Sequence, residues 1–471
     1  MKIPSIIAAC VQEAALAALS AGVPRFDVTP LTLAAQAGGD HVEESPDTDS
    51  SDSPRPDRAL PPSRPPIRKA RMPVDDRPHT ALIRRLLSIV DAPDAGARLA
   101  AKDPEPVVAA TLAEVACRTV LYPGPGSPVT VQFEVDVPGA GRVPYLLTVG
   151  PDGQRARPGR VDDPWVCLRY DLPALVRDVF GPTDSRAGTG REVVMKDEPG
   201  PAEYKPDDPW MVQRDEATRA AYQVLQACGP YQGDLAALAL RFGSDKWGGH
   251  WYTPHYERHL GRYRDQRVTV LEIGIGGYHE PDAGGASLRM WKHYFHRGTV
   301  YGLDVYDKSL LDEPRLTTVR GDQADPAFLA DLAARYGPFD IVVDDGSHVS
   351  SHVITAFTAL FPHVRPGGMY VVEDLHTSYW PEWGGNGADL ADPETSVGFL
   401  KTLVDGLHHR DRIHDGPYEP SYTDQTVTGI HLYHNLAFVE KGRNSEQSNA
   451  AWRPRHDPMR DLPAPRRVTG K

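Results

Sequence analysis

The sequence predicts an α/β protein built on a parallel sheet, with a smaller α+β module ahead of it. Between Val268 and Asp374, short apolar runs alternate with segments of helical spacing, the pattern of strands separated by crossover helices. Each run ends in glycine or acidic residues, and open parallel sheets carry their chemistry at the carboxyl ends of their strands. The chain has 471 residues, more than a single hydrophobic core ordinarily holds, so more than one domain is expected.

The elements follow in order. The chain opens MKIPSIIAACVQEAALAALSAG, where Gln12 and Glu13 interrupt the apolar run and only one basic residue precedes it. That argues against a secretion signal and for a short amphipathic helix, or for upstream sequence from a misassigned start codon. Proline, serine, aspartate and arginine dominate from His41 to Asp75, so residues 1–75 are expected to be a disordered extension and linker. The α+β module is expected over 76–180. TALIRRLLSIV and PVVAATLAEVACRTVLY have helical spacing, VTVQFEVDV and VPYLLTVG read as a hairpin across PGAGR, PWVCLRYDL is a further strand, and DLPALVRDVFG is a closing helix with Asp171 as N-cap. It shows no paired carboxylates and no nucleophile–base signature, so a packing, assembly or substrate-covering part is expected of it. Residues 181–208 are rich in glycine, proline and charge and read as a second linker. The larger domain is expected over 209–443 and a disordered tail over 444–471.

Composition narrows the function. Hydrophobic residues make up 40%, enough for folded domains, and the net charge of −13 disfavours a nucleic-acid partner, because phosphate binding needs a basic face. No run reaches the roughly 20 uninterrupted apolar residues of a membrane-spanning helix. Cys10, Cys117, Cys167 and Cys228 are far apart and without a CxxC pair, as expected of reduced cysteines in a cytoplasmic protein.

The chemistry is expected at the strand ends. The first strand, Val268–Ile273, ends in Glu272, Gly274, Gly276 and Gly277, glycines that let a ligand approach the backbone. His279 stands where a dinucleotide fingerprint needs its third glycine, so a nicotinamide cofactor loses ground. The acid two residues before the first glycine suits a ligand with an ammonium group, such as S-adenosylmethionine. The second strand, Thr299–Leu303, ends in Asp304, placed to accept ribose hydroxyls. The third, Leu316–Arg320, ends in Asp322 and Gln323, able to meet an adenine edge; helix capping is the alternative for these acids. The fourth, Phe339–Val343, ends in Asp344, Asp345, Gly346, Ser347 and His348, and the fifth, Met369–Val372, in Glu373 and Asp374. If these two strands are neighbours, Asp345, Glu373 and Asp374 converge. Clustered carboxylates repel unless a cation neutralises them, and a hard divalent ion such as Mg²⁺ fits an all-oxygen set. Such an ion can position a vicinal diol and steady a developing alkoxide, with a neutral His348 taking the proton. The alternative is that Asp345 and Ser347 cap the next helix and His348 is a surface histidine. The stretch GSDKWGGHWYTPHYERHL, dense in aromatic and histidine residues, precedes the first strand and is either packing or a cover for the cofactor. GLHHRDRIHDG reads as a solvated helix end, and TVTGIHLYHNLAFVEKG as a final antiparallel hairpin.

The combination LEIGIGG, GLDVYDK, GDQAD, VVDDGSH and VVEDLHTSYW resembles the macrolide sugar O-methyltransferases of the mycinamicin VI 2''-O-methyltransferase type, over roughly Asp76 to Lys441. The resemblance implies a class I, Rossmann-like methyltransferase sheet and S-adenosylmethionine and Mg²⁺ as cofactors. It implies Asp345, Glu373 and Asp374 as metal ligands and His348 as general base. Cofactor contacts are implied for Ser244, Glu272, Gly274, Gly276, Ser287, Asp304, Asp322, Gln323 and Asp345. It also implies a small-molecule glycoside substrate and a homotetramer in which the auxiliary module helps close a neighbouring site. A catechol or other small diol as acceptor, or a cofactor-binding protein without catalysis, are the alternatives.

Overall fold

The computed structural model describes residues 78–448, apart from 93–94, 101–102, 121, 123, 186–189, 198–207 and 414–417. The expectations for residues 1–75 and for the far end of the tail lie outside the described residues.

The smaller module begins with α1 (Pro78–Ile89), α2 (Ala95–Ala100) and α3 (Pro104–Thr119), against a five-stranded sheet. β1 (Val129–Val137) and β2 (Gly141–Gly150) form the expected antiparallel hairpin, and β3 (Gly153–Pro158) extends it. β4 (Val166–Asp171) runs parallel to β1 and leads into α4 (Leu172–Phe180). Asp171 stands at the N-cap position of α4 but makes no side-chain cap; Pro173 in the first turn has no N–H to offer, and the N–H of the next residue is not taken up by it. Three boundaries move. β5 (Arg191–Met195) pairs with β4 inside the stretch read as linker, completing the order β3-β2-β1-β4-β5. α5 (Pro209–Ala227), expected in the larger domain, sends Ala217, Ala220, Ala221 and Val224 into the core of the smaller module. Asn444, read as tail, is docked: its side-chain amide donates to the carbonyls of Leu407 and Asp424.

The larger domain holds α6 (Leu235–Phe242), α7 (Thr253–Leu260), β6 (Thr269–Ile273), α8 (Ala286–Tyr294), β7 (Thr299–Asp304), β8 (Leu316–Arg320), α9 (Pro326–Tyr336), β9 (Phe339–Asp344), α10 (Ser350–Leu360), β10 (Val364–Val372), α11 (Ser396–Leu407), α12 (Tyr422–Thr426), β11 (Val427–Tyr433) and β12 (Leu436–Lys441). Its seven-stranded sheet has the order β11-β12-β10-β9-β6-β7-β8. β10, β9, β6, β7 and β8 are mutually parallel, and the final hairpin joins antiparallel through β12. Side chains alternate between two cores: Leu271 and Ile273 of β6 face α9 and α10, while Val270 faces α7 and α8. After β6 the chain moves outward through β7 and β8, then returns to β9 on the other side of β6. That reversal opens the crevice in which such sheets bind ligands. The stretch read as a solvated helix end differs in part, because His409 is buried and its Nδ1 meets the Gly406 carbonyl at the end of α11.

One carboxylate joins the two cores. Glu114 of α3 is fully buried, and its Oε1 accepts from Nε of Arg118 at 2.8 Å and from Nε and Nη2 of Arg315 at 3.0 and 2.7 Å. Arg315, itself buried, also donates to the carbonyls of Lys292, Phe295 and Gly298 in the larger domain. Burial alone would raise the Glu114 carboxyl, but Arg315, Lys292 and Arg118 outweigh it and hold the group well below the usual carboxylate range.

Candidate active site

The glycines at the end of β6 divide into two uses. Gly274 has φ +92°, and a Cβ there would lie 2.0 Å from the Asp345 carbonyl oxygen. It lets the ends of β6 and β9 pack together. Gly276 has φ +75° with nothing within 4 Å of a Cβ, so it is the glycine that leaves backbone open to a ligand.

The acids and amides expected to touch the cofactor are held as follows. Asp304 accepts from the backbone N–H groups of Ile275 (3.0 Å) and Tyr306 (2.9 Å), which fixes its carboxylate beside the glycine turn. Asp322 accepts from the N–H of Ala324, and the capping of α9 falls to Asp325. Gln323, expected to meet an adenine edge, is held from two sides. It is buried, its amide nitrogen donates to Asp344, and its oxygen accepts from the N–H of Ser347, so both polar ends serve the β9 turn. Ser244 is buried behind α6, where its N–H donates to the Ala239 carbonyl and closes the helix end. Glu272 has partners within the chain. It is fully buried, it accepts from the Ser287 hydroxyl at 2.8 Å, and the ammonium it faces is the chain's own, Nζ of Lys246 at 3.3 Å.

Lys246 is the residue that sequence reasoning missed. It is fully buried, and its Nζ lies 2.7 Å from Asp345 Oδ2, 2.7 Å from Glu373 Oε1 and 3.3 Å from Glu272 Oε1. Its carbonyl accepts from the N–H groups of Tyr252 and Thr253, tying the aromatic-rich stretch to the same point. The signal was its place in SDKWGGHWY, just before the first strand of the sheet. A lysine is almost never fully buried without partners, so its burial reports the acids around it.

β9 and β10 are neighbours, with Val372 opposite Asp344, and their ends bring the expected acids together in two sets that share Asp345. In one, Asp345, His348 and Asp374 each offer a ligand atom within 4.8 Å of the others; in the second, Glu272, Asp345 and Glu373 do the same. Exposure separates them: side chains of Asp345, His348 and Asp374 are 21, 21 and 18% exposed, against 0 and 2% for Glu272 and Glu373. Glu373 turns inward to Lys246 and to the Tyr256 hydroxyl, while Asp374 accepts from the Tyr252 hydroxyl at 2.8 Å. His348 Nε2 lies 3.6 Å from Asp374 Oδ2. Both His348 (φ +56°) and Asp374 (φ +52°) adopt the left-handed backbone region. Non-glycine residues held there cost on the order of 1–3 kcal/mol each, and such strain gathers at functional sites. Neither Asp345 nor Ser347 caps α10, whose N-cap position is Val349. The helix-capping alternative therefore does not account for Asp345.

The donor set fits a hard divalent ion. Glu272, Asp345, Glu373 and Asp374 supply oxygens only, and Lys246 faces three of them with a single positive charge. The imbalance is visible in the carboxyls. Burial and the neighbouring Asp345 raise Glu373 well above the usual range, against the pull of Lys246 and Tyr256. Burial pushes Glu272 up to about 7, with Lys246 opposing and Asp345 adding to the rise. A cation beside Asp345 and Asp374 would relieve that excess.

The rim is aromatic. Trp247 and Trp251 meet edge to face at 4.7 Å, His250 stacks on Tyr252 at 4.5 Å, and His348 lies 6.2 Å from the Trp383 ring. Tyr379 and Trp380, on the turns that follow β10, are exposed, and Trp380 meets the His376 ring at 4.6 Å.

The chain is similar to known proteins over most of its length. Residues 83–191 match the family model described as MycE methyltransferase N-terminal. The chain is 46% identical over 380 residues to demethylmacrocin O-methyltransferase of Streptomyces fradiae, covering 79% of this chain and 94% of that one. It is 45% identical over 365 residues to mycinamicin VI 2''-O-methyltransferase of Micromonospora griseorubida, covering 75 and 88%. Among solved structures it is similar to the MycE methyltransferase in complex with Mg, SAH and mycinamycin VI, with TM-score 0.69, 42% identity, and coverage of 80 and 96%.

Proposed function

This chain belongs to the family of macrolide sugar O-methyltransferases, and from that premise we propose that it methylates a sugar hydroxyl of a macrolide or similar glycosylated natural product, with His348 as general base. It is an S-adenosylmethionine-dependent O-methyltransferase with Mg²⁺ as its metal. The observation that carries the residue assignment is the convergence of Asp345, His348 and Asp374 on one partly exposed point at the β9 and β10 ends.

When bound, S-adenosylmethionine would supply the electrophilic methyl group, and Mg²⁺, which Asp345, Glu373 and Asp374 would hold, would supply charge that favours an ionised acceptor oxygen. The chain's own groups do the rest. His348 Nε2 accepts the acceptor's hydroxyl proton, which ends on the imidazole. Asp374 Oδ2 lies 3.6 Å from that nitrogen. Tyr252 holds Asp374, and Tyr256 and Lys246 hold Glu373, so the acids are aligned before substrate arrives. Gly276 leaves room for the cofactor, and Asp304 lies at the β7 end on its ribose side. Trp383, Tyr379 and Trp380 give the sugar and aglycone an apolar wall. We also infer a cytoplasmic, homotetrameric enzyme and a working auxiliary unit that runs through Cys228, whose side chain belongs to the smaller core.

The test is transfer of labelled methyl from S-adenosylmethionine to macrolide glycosides with free vicinal sugar hydroxyls, run beside catechols. Activity on the glycosides that EDTA abolishes and Mg²⁺ restores is expected. Full activity after metal removal, or transfer to catechols alone, would overturn the reading.

A further inference from the structure

A second constellation lies away from the sheet crevice, at the antiparallel edge. His259 comes from the last turn of α7, His431 from the edge strand β11 and Glu440 from β12. The register explains why they meet. Gly429 faces Glu440 across the ladder, and His431 lies two residues along on the same face, beneath α7. The His259 and His431 rings are 4.4 Å apart, and His431 Nε2 is 3.4 Å from Glu440 Oε1. Each residue offers one ligand atom within 4.8 Å of the other two. His431 Nε2 is shielded from solvent yet makes no hydrogen bond. A shielded polar atom without a well-formed hydrogen bond is unfavourable, and a cation bound between it and Glu440 would relieve it.

We propose that His259, His431 and Glu440 form a second metal site that takes a transition ion of the Zn²⁺ type. Two imidazoles and one carboxylate are a donor set that Zn²⁺ accepts and Mg²⁺ does not favour, because Mg²⁺ prefers oxygen throughout. The Tyr433 hydroxyl, 2.8 Å from His259 Nε2, fixes that ring as partners of metal-bound imidazoles do. His255 stacks on Tyr433 at 3.8 Å and Phe438 packs on His259, giving the ligands an apolar surround. Arg262 Nη2 is 3.9 Å from Glu440 Oε1, but the same nitrogen donates to the Tyr263 hydroxyl at 2.8 Å and to the Gly367 carbonyl at 3.4 Å, so those closer partners hold it. Arg258, on the same helix, adds positive charge near His259.

The site's effect would be positional. α7 and the residue before it carry Tyr256 and Tyr252, which hold Glu373 and Asp374. An ion joining the far end of α7 to the hairpin would pin those tyrosines, acting as a staple that takes no part in the methyl transfer.

The experiment uses the full chain, stripped of metal and then held in excess Mg²⁺ to fill the oxygen-rich site. Co²⁺ is added as a spectroscopic stand-in for Zn²⁺, and visible absorption and calorimetry are recorded. One equivalent with a tetrahedral absorption band is expected. His431→Gln and Glu440→Gln, each at a half-exposed position of the hairpin, should each lose the band. Tyr433→Phe should keep it with affinity lowered roughly 10–100-fold. His348→Gln should leave it intact. No band in the native chain, a band that survives His431→Gln and Glu440→Gln together, or one lost with His348→Gln would each overturn the proposal.

Discussion

Two buried ionic clusters in this chain are near mirror images. At the seam between the modules, one carboxylate, Glu114, is surrounded by Arg118, Arg315 and Lys292. In the crevice, one ammonium, Lys246, is surrounded by Glu272, Asp345 and Glu373. The surplus at the seam is positive, and Glu313 and backbone carbonyls absorb it: Lys292 Nζ lies 3.1 Å from Glu313 Oε1, Arg315 meets the carbonyls of Lys292, Phe295 and Gly298, and Arg118 those of Gly229 and His296. The surplus in the crevice is negative: three carboxylates share the one ammonium of Lys246, and burial with the neighbouring Asp345 raises Glu373 well above the usual range. A cluster balanced by its own neighbours is structural. One left short of positive charge, open on the side of Asp345 and Asp374, is suited to bind a cation.

The comparison breaks most sharply where the open side is disarmed. His348→Ala should lower kcat by roughly 10²–10⁴-fold, the ordinary contribution of a general base, with the unfolding midpoint nearly unchanged. A measured loss below about tenfold would move the base elsewhere. At the seam the reverse is expected. Glu114→Gln leaves Arg315 and Arg118 buried without their counterion and should cost about 3–5 kcal/mol in denaturant unfolding, with KM for S-adenosylmethionine unchanged in the protein that remains folded. Unchanged stability would show that the backbone carbonyls alone satisfy those guanidiniums.

The seam also sets a pH dependence. Glu114 is held below its ordinary value of 4.5 in the folded chain. Its contribution is therefore complete above that ordinary value and is lost progressively as pH falls below it toward the depressed folded value. Unfolding free energy measured between about pH 6 and 3 should fall more steeply in the native chain than in Glu114→Gln. Equal slopes would mean that the acid lability comes from other carboxyls.

These clusters also mark where sequence reading succeeds and fails. The strand ends were legible because each apolar run is local and closes in residues with one obvious use, as in VVDDGSH and VVEDLH. β11 and β12 were legible for the same reason. Lys246 was not, because a lysine between aspartate and tryptophan reads as surface until the acids 99 residues away at Asp345 are brought to it. Glu114 and Arg315 are 201 residues apart, and nothing in either neighbourhood names the other. β3 and β5 were missed because edge strands face water, and GQRARP and REVVM lack the apolar alternation that betrays a half-buried strand. Gln323 and Glu272 were assigned by type and position along a strand. Their partners within the chain, Asp344 and Ser347 for one and Ser287 and Lys246 for the other, are fixed by packing across strands and could not be read there.

The smallest expected effect sharpens the comparison furthest. Lys246→Met removes the ammonium and leaves buried carboxylates facing one another, which should cost stability much as Glu114→Gln does. The two variants should part when Mg²⁺ is added. An ion bound only by the folded state stabilises it by an amount that grows with its concentration over Kd, about 2.7 kcal/mol at a hundredfold excess. In Glu114→Gln that increment should equal the native one, because the seam lies outside the oxygen-rich site. In Lys246→Met, loss of the competing ammonium should strengthen Mg²⁺ binding and enlarge the increment by about 1 kcal/mol, a tenfold change in Kd being worth about 1.4 kcal/mol. A smaller increment in Lys246→Met than in the native chain would mean that Lys246 serves chiefly to align Asp345 and Glu373, and that the shortage of positive charge in the crevice does not drive cation binding.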